Sequence, residues 1–156
     1  KKIPSVEFAE HIIRCFKNTH KQIPADLAAE IVEQMENHPY YVQQLAHLAW
    51  EKTHSVLSGR ILQNAIDELL ARNLLFFQRE FETLSNLQVN LLKALALEKE
   101  IKYTSSDIIQ RYNLGSSAAV IKALKALENK DFIDRYGESI EFVDPAFRLW
   151  IKRMWG

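Results

Sequence analysis

Phe132-Ile133-Asp134-Arg135-Tyr136 and Ile140-Glu141-Phe142-Val143 flank Gly137-Glu138-Ser139, and apolar and polar residues alternate on both sides of that turn. Alternation with a period of two sends successive side chains to opposite faces of a strand, so the stretch predicts a β-hairpin. Asp144-Pro145 follows at once and opens a helix bearing Phe147, Leu149, Trp150, Ile151 and Trp155. Only four Gly and four Pro punctuate the chain, which favours long helices joined by short connections elsewhere.

Three helices are predicted upstream of the hairpin. Ser85 with Gln88 reads as a capping box, opening a helix with Leu87, Leu91, Leu92, Leu95 and Ala96 on its apolar face. Thr104 with Asp107 repeats the device for a short helix through Ile108, Ile109 and Tyr112. Asn113-Leu114-Gly115 turns the chain, and Ser116 caps a third helix carrying Val120, Ala123, Leu124 and Leu127. Three helices, a hairpin and a closing helix form a winged helix-turn-helix domain, expected over residues 84–156.

Residues 1–83 predict a bundle of four helices. Val6, Phe8, Ala9, Ile12, Ile13 and Phe16 recur at helical spacing. A second helix runs from about Pro24 to Glu36, since proline suits a first turn where its missing N–H is not needed. Asn37-His38-Pro39 breaks the chain before a third helix with Tyr41, Leu45, Leu48, Ala49 and Trp50. After Ser58-Gly59 a fourth pattern starts at Ile61 and continues through Phe76, Phe77 and Phe81. Some 25 residues is long for a globular helix, so a kink near Asn73 or a bridge between subdomains is expected. The fold class is all-α with a small β-hairpin wing.

The 156 residues are 47% hydrophobic and 26% charged, the balance of a globular protein. Twenty basic and twenty acidic residues cancel, leaving no strong overall field to attract nucleic acid or an anionic membrane. Apolar runs fall far short of the roughly 20 residues that span a bilayer. Cys15 is the only cysteine, which excludes an intramolecular disulfide framework and points to a cytoplasmic home. The opening Lys1-Lys2-Ile3-Pro4 and the end at Gly156, directly after Trp155, suggest a piece of a longer chain.

Three stretches carry a family resemblance: Asn37-His38-Pro39-Tyr40-Tyr41-Val42-Gln43-Gln44-Leu45, Leu114-Gly115-Ser116-Ser117 through Leu124-Lys125-Ala126-Leu127, and Phe142-Val143-Asp144-Pro145-Ala146-Phe147-Arg148-Leu149-Trp150. Together they resemble the C-terminal lid and winged-helix part of bacterial and archaeal AAA+/STAND-type P-loop ATPases, over nearly the whole chain. The resemblance implies an upstream P-loop domain as partner, with ATP or ADP and Mg held there. It also implies that His38 and Pro39 lie near the adenine of the nucleotide. Asn37 stands where glycine is usual in that family, and asparagine too tolerates positive φ. On residue types alone, Asn37-His38-Pro39 is a plain break between helices.

No Gly-x-x-x-x-Gly-Lys-Ser/Thr loop occurs, and no apolar strand ends in an acidic pair, so no ATP hydrolysis is expected of this chain alone. His47, Glu51 and His54 are spaced to share one helical face, but without a fourth ligand they read as a solvated polar face. Cys15, one turn after His11, falls within an apolar pattern and reads as a buried, inert thiol.

The helix from Ser116 occupies the recognition position of a helix-turn-helix. Its start, Ser116-Ser117-Ala118-Ala119, holds no Arg, Lys, Asn or Gln to read base edges. Ser116, Ser117, Lys122, Lys125 and Arg135 are the candidate contacts to a DNA backbone, with Arg111 and Lys130 nearby. Residues 1–84 carry 9 basic and 11 acidic residues and the remainder 11 and 9, a small asymmetry. Asp134, Glu138 and Glu141 on the wing would repel phosphates. The first reading is therefore a regulatory end that couples nucleotide state to domain or partner contacts. The alternative is a DNA-binding module making weak, mainly phosphate contacts to a duplex. Arg148 through Trp155 reads either as a docking surface or as a helix covering the domain core.

Overall fold

Phe8, Ile12 and Phe16 stand four residues apart and are all buried, which fixes the inward face of the first helix, α1 (Ser5–Asn18). The computed structural model describes residues 3–98 and 102–156 and divides them into two compact units, Lys1–Leu74 and Leu75–Gly156. Among the described residues there are nine helices and one two-stranded sheet.

In the first unit α1 is followed by α2 (Ala25–Gln34), α3 (Pro39–Lys52) and α4 (Gly59–Arg72). α1 packs on α2 and α3 on α4, with α2 and α3 in contact between the pairs. Ala28, Ile31, Val32, Met35, Val42, Leu45, Leu48, Ala49, Leu62, Ala65 and Ile66 fill the core. Val42, not Tyr41, supplies the first turn of the buried face of α3; Tyr41 is half-buried. The loops before α2 and α4 are tied by a parallel bridge, in which Gln22 N–H donates to Ser55 O and Leu57 N–H to Gln22 O. The buried Thr53 hydroxyl donates to Ala49 O at 2.7 Å, so it carries no unmet hydrogen bond into the core. α4 ends where a break was expected: Asn73 is its C-cap and its Nδ2 donates to Leu69 O at 2.8 Å.

The second unit takes all but the first residue of α5 (Leu74–Glu82) and continues with α6 (Asn86–Leu97), α7 (Ser106–Tyr112), α8 (Ser117–Asn129), β1 (Ile133–Tyr136), β2 (Ser139–Phe142) and α9 (Pro145–Trp155). Ser85 and Gln88 form the expected capping box. The cap of α7 is Ser105, one residue later than Thr104: Ser105 keeps extended backbone and its Oγ accepts from Ile108 N–H. Asn113 turns the chain in the left-handed region at φ 54°, which asparagine tolerates better than most residues. Ser116 caps α8, its Oγ accepting from Ala119 N–H at 3.1 Å.

β1 and β2 pair antiparallel with Ile133 opposite Phe142 and Tyr136 opposite Ser139, and Gly137 takes the turn at φ 62°. Asp144 then caps α9 through two backbone N–H groups. Phe77, Phe81, Phe147 and Trp150 form one aromatic cluster with ring centroids 5.2 to 5.8 Å apart. Trp150 is inside it, while Trp155 sits at its edge, 39% exposed beneath Lys93 Nζ.

Candidate functional site

The turn between α2 and α3 combines an unusual backbone with buried polar atoms. Glu36 and Asn37 both hold positive φ, at 51° and 59°. Asn37 Nδ2 donates to Ile3 O, which ties Ile3 to the turn. His38 then takes extended backbone as the N-cap of α3, with Pro39 in the first helical position. His38 makes no capping hydrogen bond, and its ring lies edge-on to Tyr41 at 5.0 Å. Asn37 Oδ1 and His38 Nδ1 are both buried and make no hydrogen bond. Two adjacent buried polar atoms in that state are costly, by about 1–3 kcal/mol each, unless a further group meets them.

A groove of about 320 Å³ opens between α1 and α3, lined by Phe8, Ile12, Cys15, Ala46, His47 and Trp50 among others. Trp50 is held there from several sides. Its Nε1–H donates to Thr19 Oγ1 at 2.8 Å, Lys21 Nζ lies 4.0 Å above the ring, and His47 stacks 5.8 Å away. Cys15 is exposed, in contrast to its expected burial, with Sγ 3.5 Å from His11 Nε2. The reason is helical phase: Phe8, Ile12 and Phe16 turn inward, and position 15 falls at the border of that stripe.

His47, Glu51 and His54 do not share a helical face, because α3 stops at Lys52 and Thr53 is extended. His47 Nε2 instead meets Glu51 Oε1 at 2.7 Å. Among the described residues no three His, Cys, Asp or Glu side chains gather as metal ligands.

In the second unit, α8 presents Ser117, Ala118, Ile121, Lys122 and Lys125 outward. The Ser117 hydroxyl donates to Thr104 O at 3.2 Å, and that of Ser116 serves the cap. Lys122, Lys125 and, on β1, Arg135 are exposed and make no ion pair among the described residues. The other expected cations are committed. Arg111 bridges Glu98 at 2.6 Å and Asp107 at 2.7 Å, and Lys130 donates to Thr83 O and Gln88 Oε1. Asp134 and Glu138 are exposed on the wing.

Glu98 organises the back of this unit. Its carboxylate accepts from Tyr112 and Arg111, which hold its pKa below the usual carboxylate range, the Tyr112 bond first. Burial, then the bond to Glu98, pushes the Tyr112 phenol upward. Sequence reading missed this brace, since Glu98 and Tyr112 lie 14 residues apart and on different elements.

Residues 75–153 match the family described as "Probable winged helix domain". The structure is similar to that of a Walker-type ATPase of Pyrococcus abyssi, with a TM-score of 0.71 and 17% identity over 97% of this chain. It spans 43% of that protein's chain. No curated protein matches. No helix among the described residues is long and apolar enough to cross a membrane.

Proposed function

The chain belongs to the winged helix domain family, and from that premise we propose that it is the C-terminal lid and winged-helix regulatory region of an ATP-binding AAA+/STAND-type ATPase. The observation that carries this reading is the turn before α3, where Asn37 Oδ1 and His38 Nδ1 are buried without hydrogen bonds beside Pro39. Both atoms are closed off from solvent, so a nucleotide base would meet them only as the turn opens around it, and Pro39 offers an apolar surface for the base to rest on. The shared fold with a Walker-type ATPase over 97% of this chain supports the same reading.

In this proposal the triphosphate, its Mg ion and the hydrolytic groups belong to a P-loop domain upstream, and this chain catalyses nothing alone. Its part is mechanical. A nucleotide engaged by His38 and Pro39 would hold the first unit against the P-loop domain, and its loss would release it as a rigid body. The second unit would then make or break contacts with a protein partner.

Binding of a fluorescent ADP analogue to the longer parent chain tests this. His38→Ala is expected to weaken affinity about tenfold, the loss of about 1.4 kcal/mol. Unchanged affinity in both His38→Ala and Pro39→Ala would refute the assignment. The alternative, a DNA-binding module, rests on the unpaired Lys122 and Lys125 and on Arg135. The wing carboxylates and the commitment of Arg111 and Lys130 weigh against it.

A further inference from the structure

Ile121 stands apart on the surface of α8. The inward stripe of that helix is Val120, Ala123, Leu124 and Leu127, all buried, whereas Ile121 is 59% exposed. A β-branched side chain loses rotamer freedom in a helix, and here only partial burial offsets that loss. Ala118 lies three residues before Ile121 and Lys125 four after it, and Lys122 is one turn beyond Ala118. These four therefore form one strip. Its centre is apolar, its N-terminal end is small, and its border carries two cations with no carboxylate partner among the described residues.

We propose that this strip docks a helix of a protein partner whose apolar stripe is bordered by Asp or Glu. Ala118 lets the two backbones approach to the usual helix-packing distance of about 8–10 Å. Ile121 inserts between apolar side chains of the partner, and Lys122 and Lys125 pair with its carboxylates. The proposal rests on the reading of the second unit as a docking element and gives that partner its chemistry.

Charge favours such a helix over a duplex. Duplex DNA presents one negative charge for about each 1.7 Å of its axis, and neutralising several of them takes a matching number of cations. Unpaired cations on this face and the wing are few, and Asp134 and Glu138 oppose them. Apart from its two lysines the strip holds no side chain that reads a base edge, neither Arg nor Asn nor Gln. Two lysines are enough for a helix bordered by two or three carboxylates, and only a protein partner gives Ile121 a full apolar contact.

The test is fluorescence anisotropy with the whole 156-residue chain. The probe is a labelled amphipathic peptide of about 15 residues, leucine on one face and glutamate on its borders, long enough to form a helix on binding. A Kd of about 10–100 µM is expected. Binding should weaken tenfold or more when glutamine replaces the glutamates, in Ile121→Asp, and in the double variant Lys122→Glu/Lys125→Glu. Ile121→Leu should bind as the parent does. Because Ile121 is exposed, circular dichroism and melting of Ile121→Asp should match the parent.

Absent peptide binding, or binding indifferent to these changes, overturns the proposal. So does tighter binding of a duplex that Lys122→Glu/Lys125→Glu abolishes and Ile121→Asp leaves intact. The nucleotide experiment on His38 is independent. Its failure with peptide binding intact removes the ATPase reading alone, and the reverse removes only the docking strip.

Discussion

Tyr112 donates its phenolic hydrogen to Glu98 Oε1 at 2.9 Å, joining the last residue of α7 to the C-cap of α6. Arg111 Nη1 reaches the same oxygen at 2.6 Å while Nη2 holds Asp107. The ends of α6 and α7 are thus joined through one carboxylate, and Arg111, a candidate to assist α8 in phosphate binding, is occupied.

That brace makes stability depend on pH in a defined direction. Glu98 is held below the ordinary carboxylate range, so its contribution is present above the unfolded value of about 4.3 and is lost as pH falls through the folded value. Glu98→Gln should be less stable than the parent at pH 7, and the gap should narrow steadily below about pH 4. Tyr112, raised by burial and then by Glu98, contributes up to its unfolded pKa of about 10, and that contribution is lost as pH rises through its folded value. Urea unfolding across pH gives the readout. A gap of equal size at pH 3 and pH 7 would contradict the assignment.

Local signals in the sequence were sufficient for most elements. The capping box at Ser85 and Gln88, the cap at Ser116 and the Gly137 hairpin each depend on groups within a few residues of one another. Thr104 misled because Ser105 is an equally good cap, and only the backbone geometry decides between neighbours. His54 misled for a related reason: periodicity does not mark where α3 stops. Cys15 lies at the border of an apolar stripe, where one position separates core from surface. The commitment of Arg111 and the bare polar atoms of Asn37 and His38 depend on contacts or burial that spacing does not encode. On the candidate interface the exposure of Lys122 and Lys125 follows from helical phase, but which cations stay unpaired does not.

Asn37 combines left-handed backbone at φ 59° with a side-chain bond to Ile3 O. Asn37→Ala removes the bond and puts alanine, which disfavours the left-handed region more than asparagine does, at φ 59°, at a cost below the full penalty of about 1–2 kcal/mol for the backbone and about 1 for the bond. Asn37→Gly removes only the bond and relieves the backbone, so its cost should stay under about 1 kcal/mol. Equilibrium unfolding of the two variants gives the ranking. Glycine costing more than alanine would contradict this account.

Phe77 is fully buried, with its ring 5.3 Å from Phe147 and 5.4 Å from Trp150. Phe77→Ala should cost about 3–5 kcal/mol, since it removes transfer energy and leaves a cavity among rings that cannot collapse into it. Phe81→Ala should cost less, because Phe81 is half-buried. Tryptophan fluorescence during denaturation follows the loss directly through Trp150 and Trp155. Equal costs for the two variants would show that the cluster is not organised around Phe77.

Cys15 is exposed at the groove between α1 and α3, so the native chain should take up one equivalent of a maleimide without denaturant. Mass spectrometry reports the stoichiometry. Labelling that requires unfolding would place the thiol in the core and contradict the helical phase set by Phe8, Ile12 and Phe16.

The cations of α8 and the wing set how duplex DNA should respond to salt. Lys122, Lys125 and Arg135 are exposed without ion pairs, whereas Arg111 and Lys130 are engaged within the unit. If those three alone met phosphates, the slope of log affinity against log salt would be about −2.7, and raising salt from about 50 to about 200 mM would weaken binding about 40-fold. Any association of a labelled duplex that anisotropy detects at low salt should therefore disappear at the higher one, and Lys122→Glu should weaken it. A slope near −6 would require roughly twice as many cations. Cations beyond those three, more than Arg111 alone would supply, would then have to meet phosphates, and the second unit would be a DNA-binding module after all.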